Sequence, residues 1–169
     1  LASGVVISSH LKPIIGESLK IKWPNDLFLS EKKIGGILVE TSSNKKGTNI
    51  IIGVGLNVLM SDQEKNSIDQ EWTSLHIHYG KDFDRNQIAG RMLESLLHLK
   101  NNFESKGFSH YRNRFEELNI LNNKECLATF DNMSLKGLVE GITEKGELIL
   151  NENGKIHQLR YGEISIKNI

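Results

Sequence analysis

Lys22-Trp23-Pro24-Asn25-Asp26 is the segment of this sequence richest in chemistry. A proline in a strand-like run, followed by two short polar side chains, sets an amide and a carboxylate where a ladder breaks and a cleft can open. The same residues also read as a Pro-Asn turn in which Asp26 accepts local backbone N–H groups. Lys33 follows seven residues later, directly before Gly35-Gly36. A lone lysine at a strand end is ordinarily solvated. A second glycine pair, Gly53 and Gly55, punctuates Gly53-Val54-Gly55-Leu56-Asn57. One pair inside a strand signals a bulge or a close backbone approach, and two pairs in neighbouring segments fit a ligand lying against a sheet. A dinucleotide fingerprint is excluded, because the third glycine and the surrounding strand–helix–strand unit are missing.

The remaining reactive residues form no comparable group. His76 and His78 stand two apart on an expected strand and would share a face, yet no third ligand is near them, so no metal site is expected. His10, His98, His110 and His157 are scattered, and no Ser-His-Asp or Cys-His spacing occurs. Cys126 carries no activating motif.

The elements that must position these residues can be read from periodicity. Leu1 to Leu11 fits the end of a buried helix, closed by Pro13 and Gly16. Leu19, Ile21 and Trp23 alternate with lysines, as in a half-buried strand, and Asp26 to Ser30 resumes it. A turn at Glu31-Lys32 leads into a β-rich segment, Lys33 to Glu40; Ser42 to Gly47 reads as a polar loop, and Ile50 to Val58 as another strand. Residues 61–83 look irregular apart from Trp72 and Leu75. Asp84 with Gln87 is an N-cap signature opening a helix whose Ile88, Met92, Leu93, Leu96, Leu97 and Phe103 read as core, with Gly107 as its stop. A shorter helix runs through Tyr111 and Phe115 to Leu118. Asn122-Asn123-Lys124 marks a boundary, after which strand-sized pieces alternate with turns at Asp131-Asn132, Lys145-Gly146 and Asn153-Gly154, the pattern of a small β-barrel.

Composition narrows the function classes. The 169 residues carry 21 basic and 21 acidic side chains, against the basic excess that a general nucleic-acid or membrane-surface binder needs. The longest apolar run, Ile50 to Leu56, is too short to span a bilayer. A single cysteine excludes an internal disulfide and fits a reducing, cytoplasmic setting.

Lys22-Trp23-Pro24-Asn25-Asp26, then Lys33-Ile34-Gly35-Gly36-Ile37-Leu38-Val39-Glu40, then Gly53-Val54-Gly55-Leu56-Asn57-Val58 resemble the biotin protein ligase family in order and spacing. The likeness continues through Trp72-Thr73-Ser74-Leu75, the helical region and Gly162-Glu163-Ile164-Ser165. It implies an α+β fold: the mixed sheet shared by biotin ligases and class II synthetases over 1–122, then a small C-terminal β-barrel over 123–169. It implies an enzyme that joins biotin and ATP, with Mg2+, into biotinyl-5′-adenylate and passes the acyl group to a lysine of a biotin carboxyl carrier domain. The block KWPND with KxGGILVE favours biotin over the lipoate-type ligases of the same superfamily.

By the same resemblance Lys33 is the cation beside the reacting oxygens, and Asp26 the carboxylate that receives or orients the acceptor ammonium. Gly35, Gly36, Ile37 and Leu38 line the biotin pocket, with Gly53 and Gly55 as the opposite wall. Asn25 and Asn57 lie at the nucleotide, Trp72 stacks on adenine, and Lys167 reaches toward ATP. The sheet edge around Val39 to Ser43 matches the edge through which dimeric members pair. The family's Arg-rich glycine loop, which precedes these blocks, does not occur in the sequence, nor does its DNA-binding helix-turn-helix. The chain therefore reads as a ligase incomplete at its N-terminus, with a non-catalytic binding remnant as the alternative and no DNA or membrane partner.

Overall fold

The branched residues at the start of the chain form helix α1 (Ala2–Ile15), which buries Val5, Val6, Ile7, Leu11 and Ile15. The computed structural model describes residues 1–45, 47–61, 71–130, 133–160 and 162–166. Lys167 and the Asp131-Asn132 turn lie outside the described residues. The helix passes through Pro13 rather than ending there, since a proline in the last turn removes one N–H and leaves the preceding ladder intact. Gly16 closes it at φ 85°, its N–H donating to the Lys12 carbonyl. Buried Ser8 donates to the Leu19 carbonyl at 2.7 Å, tying the helix to the chain entering the sheet.

Four strands follow: β1 (Lys20–Lys22), β2 (Asp26–Leu29), β3 (Lys32–Asn44) and β4 (Gly47–Leu56), hydrogen-bonded in that order. Their ladders are all antiparallel, and among the described residues parallel contact is confined to the single bridges Ile21–Asn119 and Lys33–Trp72. Ser30 and Glu31, both at positive φ, turn β2 into β3 one residue earlier than the sequence suggests. The stretch read as a polar loop, Ser42 to Gly47, is mostly strand: Thr41↔Ile50, Ser42↔Asn49 and Ser43↔Thr48 are paired, with the Ser43 and Thr48 hydroxyls 2.9 Å apart. Both faces of this hairpin are solvated, so no apolar alternation announces it, and main-chain pairing with a cross-strand hydroxyl contact holds it instead.

Helix α2 (Leu75–Tyr79) occupies part of the stretch expected to be irregular, capped by Ser74, whose hydroxyl accepts from Ile77 N. His76 and His78 are thus on a helix rather than a strand; His76 Nδ1 contacts Asp82 at 2.7 Å and His78 faces Glu17. Helix α3 (Arg85–Lys106) opens at Asp84, which accepts from Asn86 N and Gln87 N, and ends at Gly107. Its core face is Ile88, Ser95 and Leu99. Leu93 and Leu97, read as core, are 60% and 51% exposed, because the apolar residues wrap more of the helix than α1 covers. Helix α4 (Ser109–Leu118) buries Tyr111, Phe115 and Leu118.

The C-terminal strands are β5 (Glu125–Phe130), β6 (Met133–Ile142), β7 (Leu148–Glu152), β8 (Lys155–Leu159) and β9 (Glu163–Ile166), in the order β8-β7-β6-β5-β9 and antiparallel. Asn153 and Gly154, at φ 52° and 92°, make the two-residue hairpin turn expected there. Among the described residues no ladder joins β8 to β9, so the expected barrel is seen as a five-stranded sheet. One buried cluster runs through both parts, from Val5 and Ile21 by way of Phe115 to Val139 and Leu150. Polar ties cross it as well: Trp23 Nε1 donates to the Gly146 carbonyl at 3.0 Å, and Arg112 Nε to the Ile142 carbonyl at 3.0 Å. No helix among the described residues is long and apolar enough to cross a membrane.

Two outcomes test this architecture. Phe115→Ala, at a fully buried site on α4, is expected to cost about 3–5 kcal/mol in denaturant unfolding. The Arg160 guanidinium, hydrogen-bonded to Glu147, holds that carboxyl below the usual carboxylate range. A depressed carboxylate stabilises the fold above its unfolded value, and that contribution is lost as pH falls through its folded value. Arg160→Ala is therefore expected to shrink the loss of unfolding midpoint below about pH 4, measured against the parent.

Candidate active site

The β2–β3 ladder does not run evenly. Phe28 pairs with Lys33 and Leu27 with Gly35, so Ile34 and Gly35 together oppose Leu27 in a β-bulge. Ile34 turns into the core, fully buried. The bulge changes the parity of the strand beyond it. Gly36 comes to pair with Asp26, on the face that Lys33 occupies. A Cβ placed on Gly36 would lie 3.5 Å from Asp26 Oδ1 and 4.0 Å from Lys33 Cε. On that face Lys33 Nζ and Asp26 Oδ1 form an ion pair at 2.8 Å, with side chains 25% and 23% exposed.

The pairs Gly36↔Gly55 and Leu38↔Gly53 extend the same face across β3 and β4. A Cβ on Gly55 would meet nothing within 4 Å, and one on Gly53 only Leu38. Gly36, Gly53 and Gly55 therefore form one bare floor rather than two facing walls, with Leu38, 62% exposed, beside it. Ile37, 6% exposed, packs against Gly4 of α1 and, with Leu38, lines the cavity beside Asn25. Gly35 is needed by the neighbouring strand, since a Cβ there would run into the Gly55 carbonyl oxygen.

Both asparagines are fastened by backbone. The Asn25 carbonyl accepts from Ile37 N and its side-chain amide donates to the Ile37 carbonyl, each at 2.9 Å, continuing the ladder past the end of β2. Asn57 donates through its side chain to the Thr73 carbonyl at 3.1 Å and through its backbone to the Ile34 carbonyl. Lys33 N donates to the Glu71 carbonyl and its own carbonyl accepts from Thr73 N, which lays Trp72 alongside Lys33. Trp72 is only 7% exposed as a residue. Asp26, Lys33, Gly36, Asn25, Asn57 and Trp72 are thus gathered about one end of the sheet.

Behind Asn25 lies a cavity of about 370 Å³ lined by Trp23, Pro24, Leu38, Gly146 and Arg160 among others. The part played by Trp23 and Gly146 was not visible in the sequence, where Lys145-Gly146 reads only as a turn. Chemically, a cation on a backbone floor without side chains can hold an anion close to the sheet, and a carboxylate beside it can orient or deprotonate an amine.

The two classes of glycine are separable by measurement. Gly35→Ala is expected to lower unfolding stability by about 1–3 kcal/mol as the strands are forced apart. Gly55→Ala is expected to change it by no more than about 0.5 kcal/mol. Equal losses in a denaturant series would contradict this assignment.

Known proteins resemble this chain in sequence and in fold. The model of the Biotin/lipoate A/B protein ligase family matches residues 2–57, and that of the Biotin protein ligase C terminal domain matches residues 123–167. The bifunctional ligase/repressor BirA of Escherichia coli (strain K12) is 32% identical over 169 residues, covering 99% of this chain and 52% of that protein. The biotin--[acetyl-CoA-carboxylase] ligase of Mycobacterium tuberculosis is 34% identical over 99 residues, or 57% of this chain and 35% of that protein. The chain spans about half the length of the E. coli relative. Among solved structures, the apo biotin protein ligase of Aquifex aeolicus superposes with a TM-score of 0.86 at 26% identity, over 99% of this chain and 73% of that one. The same ligase in complex with biotin and ATP superposes with a TM-score of 0.81 at 26% identity, over 99% and 70%. Two models lying in sequence on one chain, and a fold shared along nearly all of it, establish that the chain belongs to the biotin protein ligase family.

Proposed function

We propose that this chain carries the catalytic face of an ATP-dependent biotin protein ligase: it forms biotinyl-5′-adenylate and transfers the biotinyl group to a lysine of a biotin carboxyl carrier domain. The observation that carries this reading is the Asp26–Lys33 pair at 2.8 Å on a floor of glycines. The relatives' names and the Aquifex aeolicus complex with biotin and ATP support it.

In the first step a biotin carboxylate oxygen attacks the α-phosphorus of ATP; the bond to the β-phosphate breaks and pyrophosphate leaves. Two anions must approach each other, and Lys33 supplies positive charge beside the reacting oxygens. In the second step the acceptor amine attacks the acyl carbon of the mixed anhydride and AMP departs with the bonding electrons. The amine's proton passes to Asp26, which also orients the incoming ammonium. Gly36, Gly53 and Gly55 let the biotin rings lie on the backbone beside Leu38, and Asn25, Asn57, Trp72 and Lys167 serve the nucleotide end. Gly35 supports that floor from within the sheet, and Ile37 lines the cavity beside Asn25.

Mg2+ belongs here to the nucleotide substrate. Among the described residues no group of three or more His, Cys, Asp or Glu is placed to hold a metal, and Asp26 is taken by Lys33. Residues 1–122 act as the catalytic unit and 123–169 as its appended β domain, in a cytoplasmic protein whose edge Val39 to Ser43 is open to a second subunit.

The test is a mixture of the protein, ATP, biotin and a carrier domain, with biotinylation followed by streptavidin blot and pyrophosphate release by a coupled assay. Lys33→Ala is expected to slow both readouts by about 10²–10³-fold. Asp26→Asn is expected to slow carrier labelling by about 10²-fold while sparing pyrophosphate release. Equal labelling by Lys33→Ala and the parent would sink the reading. A parent that binds a non-hydrolysable biotinyl-adenylate analogue but labels nothing would identify a binding remnant.

A further inference from the structure

The segment leading into Asp26 is tied to a distant part of the sequence. Trp23 is 2% exposed, and its indole N–H donates to the carbonyl of Gly146, a residue 123 positions away in the turn between β6 and β7. The bond is buried, so breaking it leaves a donor and an acceptor without their protein partners.

The acceptor is held in a rigid turn between β6 and β7. Thr143 Oγ1 accepts from Lys145 N at 3.2 Å and Glu147 N at 3.1 Å, and donates to Glu147 Oε2. Thr143 N donates to the Glu147 carbonyl at 2.8 Å, and Gly146 N to the Thr143 carbonyl at 2.9 Å. Arg160, just past the end of β8, donates to Glu147 Oε1 at 2.7 Å. Gly146 itself sits at φ 84°, where a side chain is strained, and a Cβ there would come within 2.6 Å of Leu1.

On the donor side, two residues separate Trp23 from Asp26. Pro24 has its φ locked by its ring, and Asn25 is bonded to Ile37 by both backbone and side chain. There is little slack in which a displaced indole could be absorbed before Asp26 moves against Lys33.

We propose that the Thr143–Glu147 turn is a positioning element for the Asp26–Lys33 pair, acting through the Gly146 carbonyl on the Trp23 indole. Trp23, Thr143 and Gly146 are positioning residues, and the proposal rests on the ligase reading only for its consequence in catalysis.

The position of the pair can be read without turnover. Each protein is treated briefly with an amine-directed acylating anhydride, and the modification of every lysine is measured by peptide mass spectrometry. In Trp23→Phe and Thr143→Val, Lys33 is expected to react several-fold faster than in the parent, relative to Lys12 and Lys106 in the same digest. Carrier labelling by the same variants is expected to fall by about ten- to a hundredfold. An unchanged relative reactivity of Lys33 overturns the proposal, as does a uniform rise at all lysines, which signals general loosening. Should Trp23→Phe fail to fold, Thr143→Val, which removes only one turn hydroxyl, decides alone. A parent that labels no carrier while Lys33 responds to the variants would defeat the ligase reading and leave the positioning intact.

Discussion

Lys33 and the bare glycines share a face only because Ile34 and Gly35 together oppose Leu27. In a regular strand, residues 33 and 36 would point to opposite sides of the sheet. The lysine would then stand over solvent while Gly36, with Leu38 and the paired Gly53 and Gly55, turned toward the core. The extra residue puts the fixed charge and the surface it serves on one side. The bulge is held by more than its own ladder: fully buried Ile34 packs into the core, and its carbonyl accepts from Asn57 N at 2.8 Å.

The glycines divide according to this geometry. Gly35 stands where the backbone of β4 presses closest, and the Gly55 carbonyl fills the place of its side chain. Gly36, Gly53 and Gly55 face outward over open space, or over the ion pair. The first arrangement concerns strand packing, and the second concerns what can lie on the sheet. A run such as Gly-Gly contains both meanings in adjacent letters, and the resemblance that placed all four glycines at a pocket does not separate them.

Much of the fold could be read from the sequence because its signals are local. The Asp84 cap, the Gly16 and Gly107 stops, and the Asn153-Gly154 turn each act within a few residues, and each is found where expected. What escaped reading depends on partners far along the chain. The solvated hairpin beyond Glu40 lacks alternation and is held by cross-strand pairing; α2 is short and capped by a serine that also reaches Met60. Leu93 and Leu97 fit the helical period yet lie outward, since periodicity does not say how wide a neighbour is. At the site, residue types drew attention to Asp26 and the two glycine pairs, and the family resemblance supplied the roles of Asp26 and Lys33. The inward turn of Ile37 follows from the bulge, and the Trp23–Gly146 bond from topology, neither of which is written in a motif.

The pairing of Asp26 with Lys33 also bears on how two steps can share one small site. Each side chain is about a quarter exposed, enough for a ligand to reach and too little for water to separate them freely. With the site empty, each charge is compensated by the other. On the ligase reading, the carboxylate and phosphate of the first step compete with Asp26 for Lys33, and as they draw the ammonium away they leave the carboxylate without its partner. That freed carboxylate is what the second step requires, because an incoming lysine ammonium can then replace Lys33 beside Asp26. On that reading, the anhydride's arrival and the amine's recruitment are successive consequences of one exchange of partners at this ion pair.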